Sequence, residues 1–229
     1  MNYGFADPDG EPLPLTEADE SDRYFIQLYH HVATAVDLSG TSILEVGSGR
    51  GGGASYVARC LGPASVTGLD YSAEAVAFCK EIHRAENLVF REGDAESLCF
   101  GDDAFDVVLN VESSHCYGSM DTFCREVFRV LKPGGFFTWA DFREVGPAKK
   151  LESQFESAGF EITSQAEITP QVLHALDLIS ETKQDSINRM VPRVLRSAFR
   201  DFAGVKDSKV YTLFKDRHMV YSKFLLRKP

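Results

Sequence analysis

A short apolar strand that carries one acid and runs into a glycine-rich turn, S-I-L-E-V-G-S-G-R-G-G-G from Ser42 to Gly53, constrains this chain more than any other stretch. Residues 51–61 continue it as a helix. Gly47 and Gly49 let the backbone turn sharply and approach a ligand where a side chain would collide. The start of the helix turns unpaired N–H groups toward the same place. Strand, turn and helix in this order form a nucleotide-type cofactor corner of an open α/β sheet.

Gly47, Gly49 and Gly52 also satisfy G-x-G-x-x-G, a spacing that by itself fits a dinucleotide as well as any other adenine-bearing ligand. Glu45 discriminates between them. A carboxylate two residues before the first glycine repels the charges of a pyrophosphate and favours a cation, directly or through water ordered around an ammonium group. S-adenosylmethionine carries a sulfonium and an ammonium and no phosphate, so it is the cofactor expected. A purely structural Glu45 is the alternative.

The rest of the composition fits one enzyme-sized domain. A chain of 229 residues, 44% hydrophobic, can bury a full core. Its formal net charge of −10 argues against nucleic acid as a partner. The acidic, proline-rich first twenty residues lack the basic start and apolar run of a signal peptide, and no apolar run is long enough to span a bilayer. Cys60, Cys79, Cys99, Cys116 and Cys124 form no C-x-x-C pair, which suggests neither a zinc site nor a disulfide framework. They are expected to be reduced, mostly buried thiols of a cytoplasmic protein. A nucleophilic Cys116 is the sharper alternative, although methyl transfer needs no covalent intermediate. A homodimer is compatible with such a chain.

Periodicity gives alternating elements. Phe25, Leu28, Tyr29 and Val32 predict a helix over 22–36. Strands are expected at 42–47, 65–70, 88–93, 105–111, 135–141 and 160–168, with helices at 51–61, 72–84, 119–131 and 148–158. Pro133, Gly134 and Gly135 are expected to end the fourth of these helices. This alternation implies a mostly parallel sheet covered on both faces. Beyond it lie a long helical region, 170–203, and a final strand in H-M-V-Y-S-K-F-L-L-R-K. The resulting organisation is a single domain: a helical cap over 1–40, a cofactor-binding core over 41–168, a helical lid over 169–205 and the last strand within 206–229.

Ligands of an open parallel sheet sit outside the carboxyl ends of its strands. There Asp70 can accept both ribose hydroxyls, Tyr71 can cover an adenine face, and Asp94 can accept from the adenine amine. A turn or cap role is the bland alternative for each aspartate.

L-E-V-G-S-G-R-G-G, G-L-D-Y-S at 68–72, G-D-A-E at 93–96 and E-V-F-R-V-L-K-P-G-G at 126–135 together resemble the class I S-adenosylmethionine-dependent methyltransferases. The resemblance runs from Ile43 to the C-terminus and is nearest to bacterial small-molecule O-methyltransferases of the phthiotriol dimycocerosate, glycopeptidolipid and rebeccamycin sugar type. It implies a Rossmann-like, seven-stranded, mostly parallel sheet with the last strand antiparallel. It also implies that Glu45, Gly47 and Gly49 line the methionine part of the cofactor, that Asp94 and Ala95 flank the adenine, and that Asn110 and Val111 touch the methionyl moiety. E-S-S-H at 112–115 resembles a segment whose histidine is a proposed base, and A-D-F at 140–142 a segment carrying its aspartate partner. The M-N-Y-G start resembles the family's own; D-P-D-G-E-P-L-P matches no motif.

The chemistry points the same way. Methyl transfer from a sulfonium is an in-line displacement, and a protonated alcohol is a poor nucleophile. His115 can take that proton and Asp141 can orient the imidazole. A structural histidine and a capping aspartate are the bland alternatives. His30, His31, His83, His174 and His218 rank below His115, and no residues have convincing metal-ligand spacing. Leu173, Leu176, Ile179, Met190, Val194, Leu195, Phe199 and Phe202 in the lid can wall a lipid-like or aromatic acceptor, or be ordinary core. Arg189, Arg193, Arg196 and Arg200 form a basic stripe, read as a solvated face or as a site for an anionic partner. Transfer to a hydroxyl is favoured. N- or C-methylation, a nicotinamide-dependent oxidoreductase and a catalytically silent binding protein are the alternatives.

Overall fold

The computed structural model describes residues 2–229. Met1 of the M-N-Y-G start therefore lies outside the described residues. Sixteen regular elements follow in chain order. They are α1 (Arg23–Ala33), β1 (Ser42–Val46), α2 (Gly52–Cys60), β2 (Ser65–Asp70), α3 (Ala73–Ile82), β3 (Leu88–Glu92), β4 (Phe105–Val111) and α4 (Met120–Val130). After them come β5 (Leu131–Glu144), α5 (Val145–Ala148), α6 (Leu151–Ser157), β6 (Glu161–Glu167), α7 (Thr169–Met190), α8 (Arg196–Ala203), α9 (Lys209–Lys215) and β7 (Met219–Arg227).

The seven strands form one sheet in the order β3-β2-β1-β4-β5-β7-β6. β1 to β5 are parallel, and β7 runs antiparallel to both β5 and β6. Strand order reverses between β1 and β4, which opens a crevice at their carboxyl ends. Alternation along β1 sends Leu44 and Val46 into one core with Phe123, Phe137 and Trp139, and Ile43 into another with Val57, Val66 and Val107. Both faces of the strand are therefore buried, as a central parallel strand requires. Ser72 and Ser119 cap α3 and α4 by accepting from Ala75 N–H and Thr122 N–H, which fixes where each helix starts after its strand. Among the described residues, no helix is long and apolar enough to cross a membrane.

Several sequence expectations need correction. β5 begins directly after α4, with Pro133, Gly134 and Gly135 inside it rather than in a preceding turn. A register shift against β4 takes up the irregularity, and Gly134 N–H donates to Lys228 carbonyl (2.8 Å). The helix expected over 170–203 is broken at Val191 and Pro192, because proline disfavours helical backbone in the residue before it. Arg196 donates to the Val191 and Asn188 carbonyls, and Arg200 to Asn188 Oδ1, so half of the basic stripe ties down the end of α7 instead of facing solvent freely. The short α9 escaped the periodicity reading. The N-terminal segment is a buried strap: Asn2, Tyr3, Phe5 and Ala6 are buried, and Phe5 and Ala6 N–H groups donate to Tyr24 and Gln171 carbonyls.

Candidate active site

A cavity of about 1390 Å³ fills the crevice at the carboxyl ends of β1, β2 and β4. Small-ligand pockets commonly measure about 300–1,000 Å³, so it has room for a cofactor and an acceptor side by side.

The glycine turn forms one wall. Gly47 and Gly49 adopt left-handed backbone (φ +76° and +53°), and a Cβ on Gly47 would lie 2.3 Å from Ser113 Oγ. Gly49 faces open space. Gly52 has ordinary helical backbone and an added Cβ would meet nothing, whereas Gly53 packs so tightly on the Tyr29 ring that a Cβ would overlap it at 1.9 Å. Asp70 accepts from Gly49 N–H (2.6 Å) and from Ser72 N–H (2.9 Å), so one carboxylate sets the turn and faces the cavity with its remaining lone pairs. Tyr71 lines the cavity and is 79% exposed, as a ring awaiting a flat partner would be. Asp94 and Ala95 line the same end, where Asp94 also accepts from Glu96 N–H (2.8 Å). His83, ranked low in the sequence, lines this end as well.

Glu45 and Asn110 sit one layer back, a correction to their expected place on the surface of the site. Glu45 is fully buried, accepts from Tyr29 hydroxyl (2.6 Å), and among the described residues its Oε2 has no hydrogen-bond partner. Asn110 is fully buried too and donates to Val46 carbonyl (2.9 Å), Ser113 Oγ (2.8 Å) and Tyr117 hydroxyl (3.1 Å), tying the end of β1 to the loop after β4. Val111 does line the cavity, as do Tyr29, Ser113 and Tyr117. The last three were missed because only the folded chain brings them together.

Burial pushes the Glu45 carboxyl up to about 7, against the pull of its hydrogen bond from Tyr29. The ordinary value is 4.5, so between these limits the folded chain holds a proton that the unfolded chain releases. The contribution of Glu45 to stability is thus full below pH 4.5 and is lost as pH rises through 7. A neighbouring cation reverses the preference by favouring the carboxylate. We therefore expect Glu45→Gln to gain melting temperature over the wild type as pH rises from 5 toward 8. S-adenosylhomocysteine affinity should rise over that range more steeply in the wild type than in the variant, where Glu112 alone of the two raised carboxyls still titrates. Parallel calorimetric titrations and melts check both.

The chain after β4 supplies the reactive-looking groups. Glu112 has left-handed backbone (φ +51°), lines the cavity, and accepts from Tyr3 N–H (2.9 Å) and Tyr221 hydroxyl (3.0 Å). Such strain in a non-glycine residue clusters at functional sites. Burial, with the nearby Asp141 charge adding to it, pushes Glu112 up to about 7. His115 Nδ1 lies 2.8 Å from Asp141 Oδ1, and His115 N–H donates to Asp141 Oδ2 (2.9 Å). Asp141 is fully buried and also takes Ser114 Oγ–H (2.8 Å), Phe142 N–H (2.8 Å) and the Arg143 guanidinium (3.0 Å). Burial alone would raise its pKa, but the hydrogen bond from His115 and the charge of Arg143 outweigh it and hold the carboxyl below its usual range. Ser114 and Arg143, both missed in the sequence, complete the anchor, with Trp139 Nε1–H donating to Ser114 Oγ (2.9 Å). The imidazole packs on the Phe142 ring, centroids 4.2 Å apart, and is partly exposed. It is not itself in the cavity wall, although Ser113 and Cys116 beside it are.

Cys116 does not read as a nucleophile: although the residue is exposed, partial desolvation of its sulfur and the Asp141 charge raise its thiol. Cys79 and Cys124 are buried, while Cys60, Cys99 and Cys116 are exposed, so the thiols are less buried than expected. His30 bonds Tyr56 hydroxyl (2.8 Å) and His31 stacks on Phe5; neither lines the cavity.

A parallel sheet with an antiparallel last strand, a glycine turn and a paired strand-end aspartate define a class I methyltransferase fold. Residues 44–139 match the methyltransferase domain family. The chain is 44% identical over 204 residues to a probable phthiotriol/phenolphthiotriol dimycocerosates methyltransferase 2 of Mycobacterium ulcerans, covering 89% of this chain and 79% of that protein. It is 38% identical over 229 residues to a fatty-acid O-methyltransferase of Mycolicibacterium smegmatis, covering 100% and 83%. It also superposes, with TM-score 0.72 and 17% identity, on a geranyl diphosphate C-methyltransferase of Streptomyces coelicolor solved with Mg2+, geranyl diphosphate and S-adenosyl-L-homocysteine, covering 100% and 93%. The chain belongs to the class I S-adenosylmethionine-dependent methyltransferases. Its cofactor is S-adenosylmethionine, and the residues fit it: an open glycine at Gly49 and a strand-end aspartate line one cavity, and a buried carboxylate oxygen without a partner lies one layer behind its wall.

Proposed function

We propose that the chain methylates a hydroxyl of a lipid or other small-molecule acceptor, with His115 as the base and Asp141 as the residue that orients it. One observation carries the reading: His115 Nδ1 is held 2.8 Å from a carboxylate that is itself fully buried, which leaves Nε2 as the proton acceptor. When bound, S-adenosylmethionine supplies an electrophilic methyl group to the acceptor oxygen. Asp70, Asp94 and Ala95 hold its nucleoside end, and the glycine turn, backed by the buried charge of Glu45, its amino-acid end. Nε2 removes the hydroxyl proton as the new bond forms, an effect commonly worth about 10² to 10⁴ in rate. Asp141, fixed by Ser114 and Arg143, stabilises the resulting imidazolium.

A lipid acceptor is supported by the relatives, whose names attach them to phthiotriol dimycocerosates and to fatty acids. The same reading makes α7 and α8 the lid that sets acceptor preference, and places the enzyme in the cytoplasm, in keeping with its five free cysteines. The test is to supply methyl-labelled S-adenosylmethionine with a hydroxylated lipid such as a long-chain diol and follow the label by carbon NMR. Label on oxygen, as a methyl ether, is expected. Label on carbon or nitrogen contradicts the proposal.

A further inference from the structure

A second concave surface lies between the C-terminal half of α7 and α8, outside the reaction cavity. Its volume is about 580 Å³, and Phe25, Ile187, Met190, Leu195, Phe199 and Phe202 form its apolar walls, with Lys183 among them. Scattered exposed apolar side chains need no explanation. Here Met190 (78% exposed), Leu195 (48%), Phe199 (47%) and Phe202 (72%) line one groove together. A contiguous patch of this kind marks a binding surface.

Two features say what covers it. Phe25 stands in the wall of both the groove and the reaction cavity, so the groove ends where the cavity begins. Lys183 lies at that junction: its Nζ donates to Ala203 carbonyl (2.8 Å), stands 5.3 Å from the Phe25 ring centroid, and feels the charge of Glu112 in the cavity wall. A lone amine beside a trough whose other polar side chains are Thr182 and Ser186 suits a molecule that is hydrocarbon along the trough and polar at its inner end.

We propose that the groove between α7 and α8 binds the hydrocarbon chain of the acceptor and that Phe25 and Lys183 form the passage from it to the reaction cavity. The proposal rests on the reading of the chain as a lipid-directed methyltransferase. Long-chain acceptors then enter from the α7–α8 side with the reacting hydroxyl leading, and the groove measures their chain length.

Displacement of fluorescent cis-parinaric acid by straight-chain alcohols from octanol to hexadecanol tests it, with S-adenosylhomocysteine present. Affinity should rise about three- to four-fold per methylene until the groove is full. Leu195→Asp and Phe199→Asp, at partly exposed wall positions, should weaken hexadecanol binding about ten-fold or more. Val194→Asp, exposed beside the groove but outside its walls, should leave binding unchanged. Melting temperature and S-adenosylhomocysteine affinity should be alike in all three variants, which shows that each is folded. An affinity independent of chain length, or equal in Phe199→Asp and wild type, overturns the proposal. So does a dimer in sedimentation velocity that Phe199→Asp dissociates, because a second copy would then be the occupant. If the groove fails while methyl label still arrives on oxygen, only the groove is wrong; if label arrives on carbon or nitrogen while the chain-length series holds, the groove stands and the hydroxyl chemistry falls.

Discussion

His115→Ala lowers turnover by about 10² to 10⁴ while S-adenosylhomocysteine affinity stays within a few-fold. The separation follows from the geometry. Asp70, Asp94 and Ala95, which the proposed function assigns to the nucleoside end of the cofactor, line the cavity at and just beyond the ends of β2 and β3, whereas His115 follows β4 and touches Asp141 and Phe142. Removing the imidazole also leaves Asp141 with its bonds to Ser114, Phe142 and Arg143, so the buried carboxylate keeps partners and the fold survives. Steady-state kinetics at saturating cofactor, beside calorimetric titration of the same preparation, reads both quantities. A fall in affinity as large as the fall in turnover would make His115 a binding residue.

Gly47→Ala is the other large effect. Its φ of +76° is left-handed, which costs an L-residue about 1–2 kcal/mol. The new Cβ would stand 2.3 Å from Ser113 Oγ, 2.5 Å from Ser113 Cβ and 2.7 Å from Tyr117 hydroxyl, and such overpacking costs about 1–3 kcal/mol more. Relief comes only by moving Ser113 and Tyr117, both of which line the cavity and hold Asn110. The sum, about 2–5 kcal/mol, is divided between lost stability and lost cofactor affinity. Gly52→Ala should keep or raise the melting temperature, since its backbone is helical and alanine favours a helix. Thermal melts with and without S-adenosylhomocysteine distinguish the two variants. Equal melting temperatures would mean that the turn at Gly47 is not as tight as the structure makes it.

What could be read in the sequence was whatever is local. β1, the glycine turn and α2 are contiguous, so Glu45, Gly47, Gly49 and the helix start declared a cofactor corner without any tertiary information. Asp70, Tyr71 and Asp94 followed because ligands sit outside the carboxyl ends of the strands in an open parallel sheet; Ala95 came only with the family resemblance. The remaining features depend on long-range contacts. Tyr3 reaches Glu112, 109 residues away, from a segment whose composition looks like solvent-exposed tail. Arg143 and Ser114 acquire their roles only when β5 brings Asp141 beside the loop after β4. Glu45 is two residues from the first glycine in sequence, yet alternation along β1 buries it behind Tyr29 rather than in the wall. That Gly53 packs against α1 while Gly52 does not is beyond what glycine spacing alone can show. The break at Pro192 was visible in principle, but the apolar periodicity on either side of it hid the change of direction.

Single-turnover methyl transfer at saturating cofactor in His115→Ala, Asp141→Asn and the double variant tests whether His115 and Asp141 act as one unit in proton removal. Two residues that act independently give losses that multiply; two members of one unit do not. Each single variant should lose about 10² to 10⁴ in rate, and the double variant should be little slower than the slower single. Near-normal rates in His115→Ala, or a double variant slowed by the product of the two single losses, would contradict it.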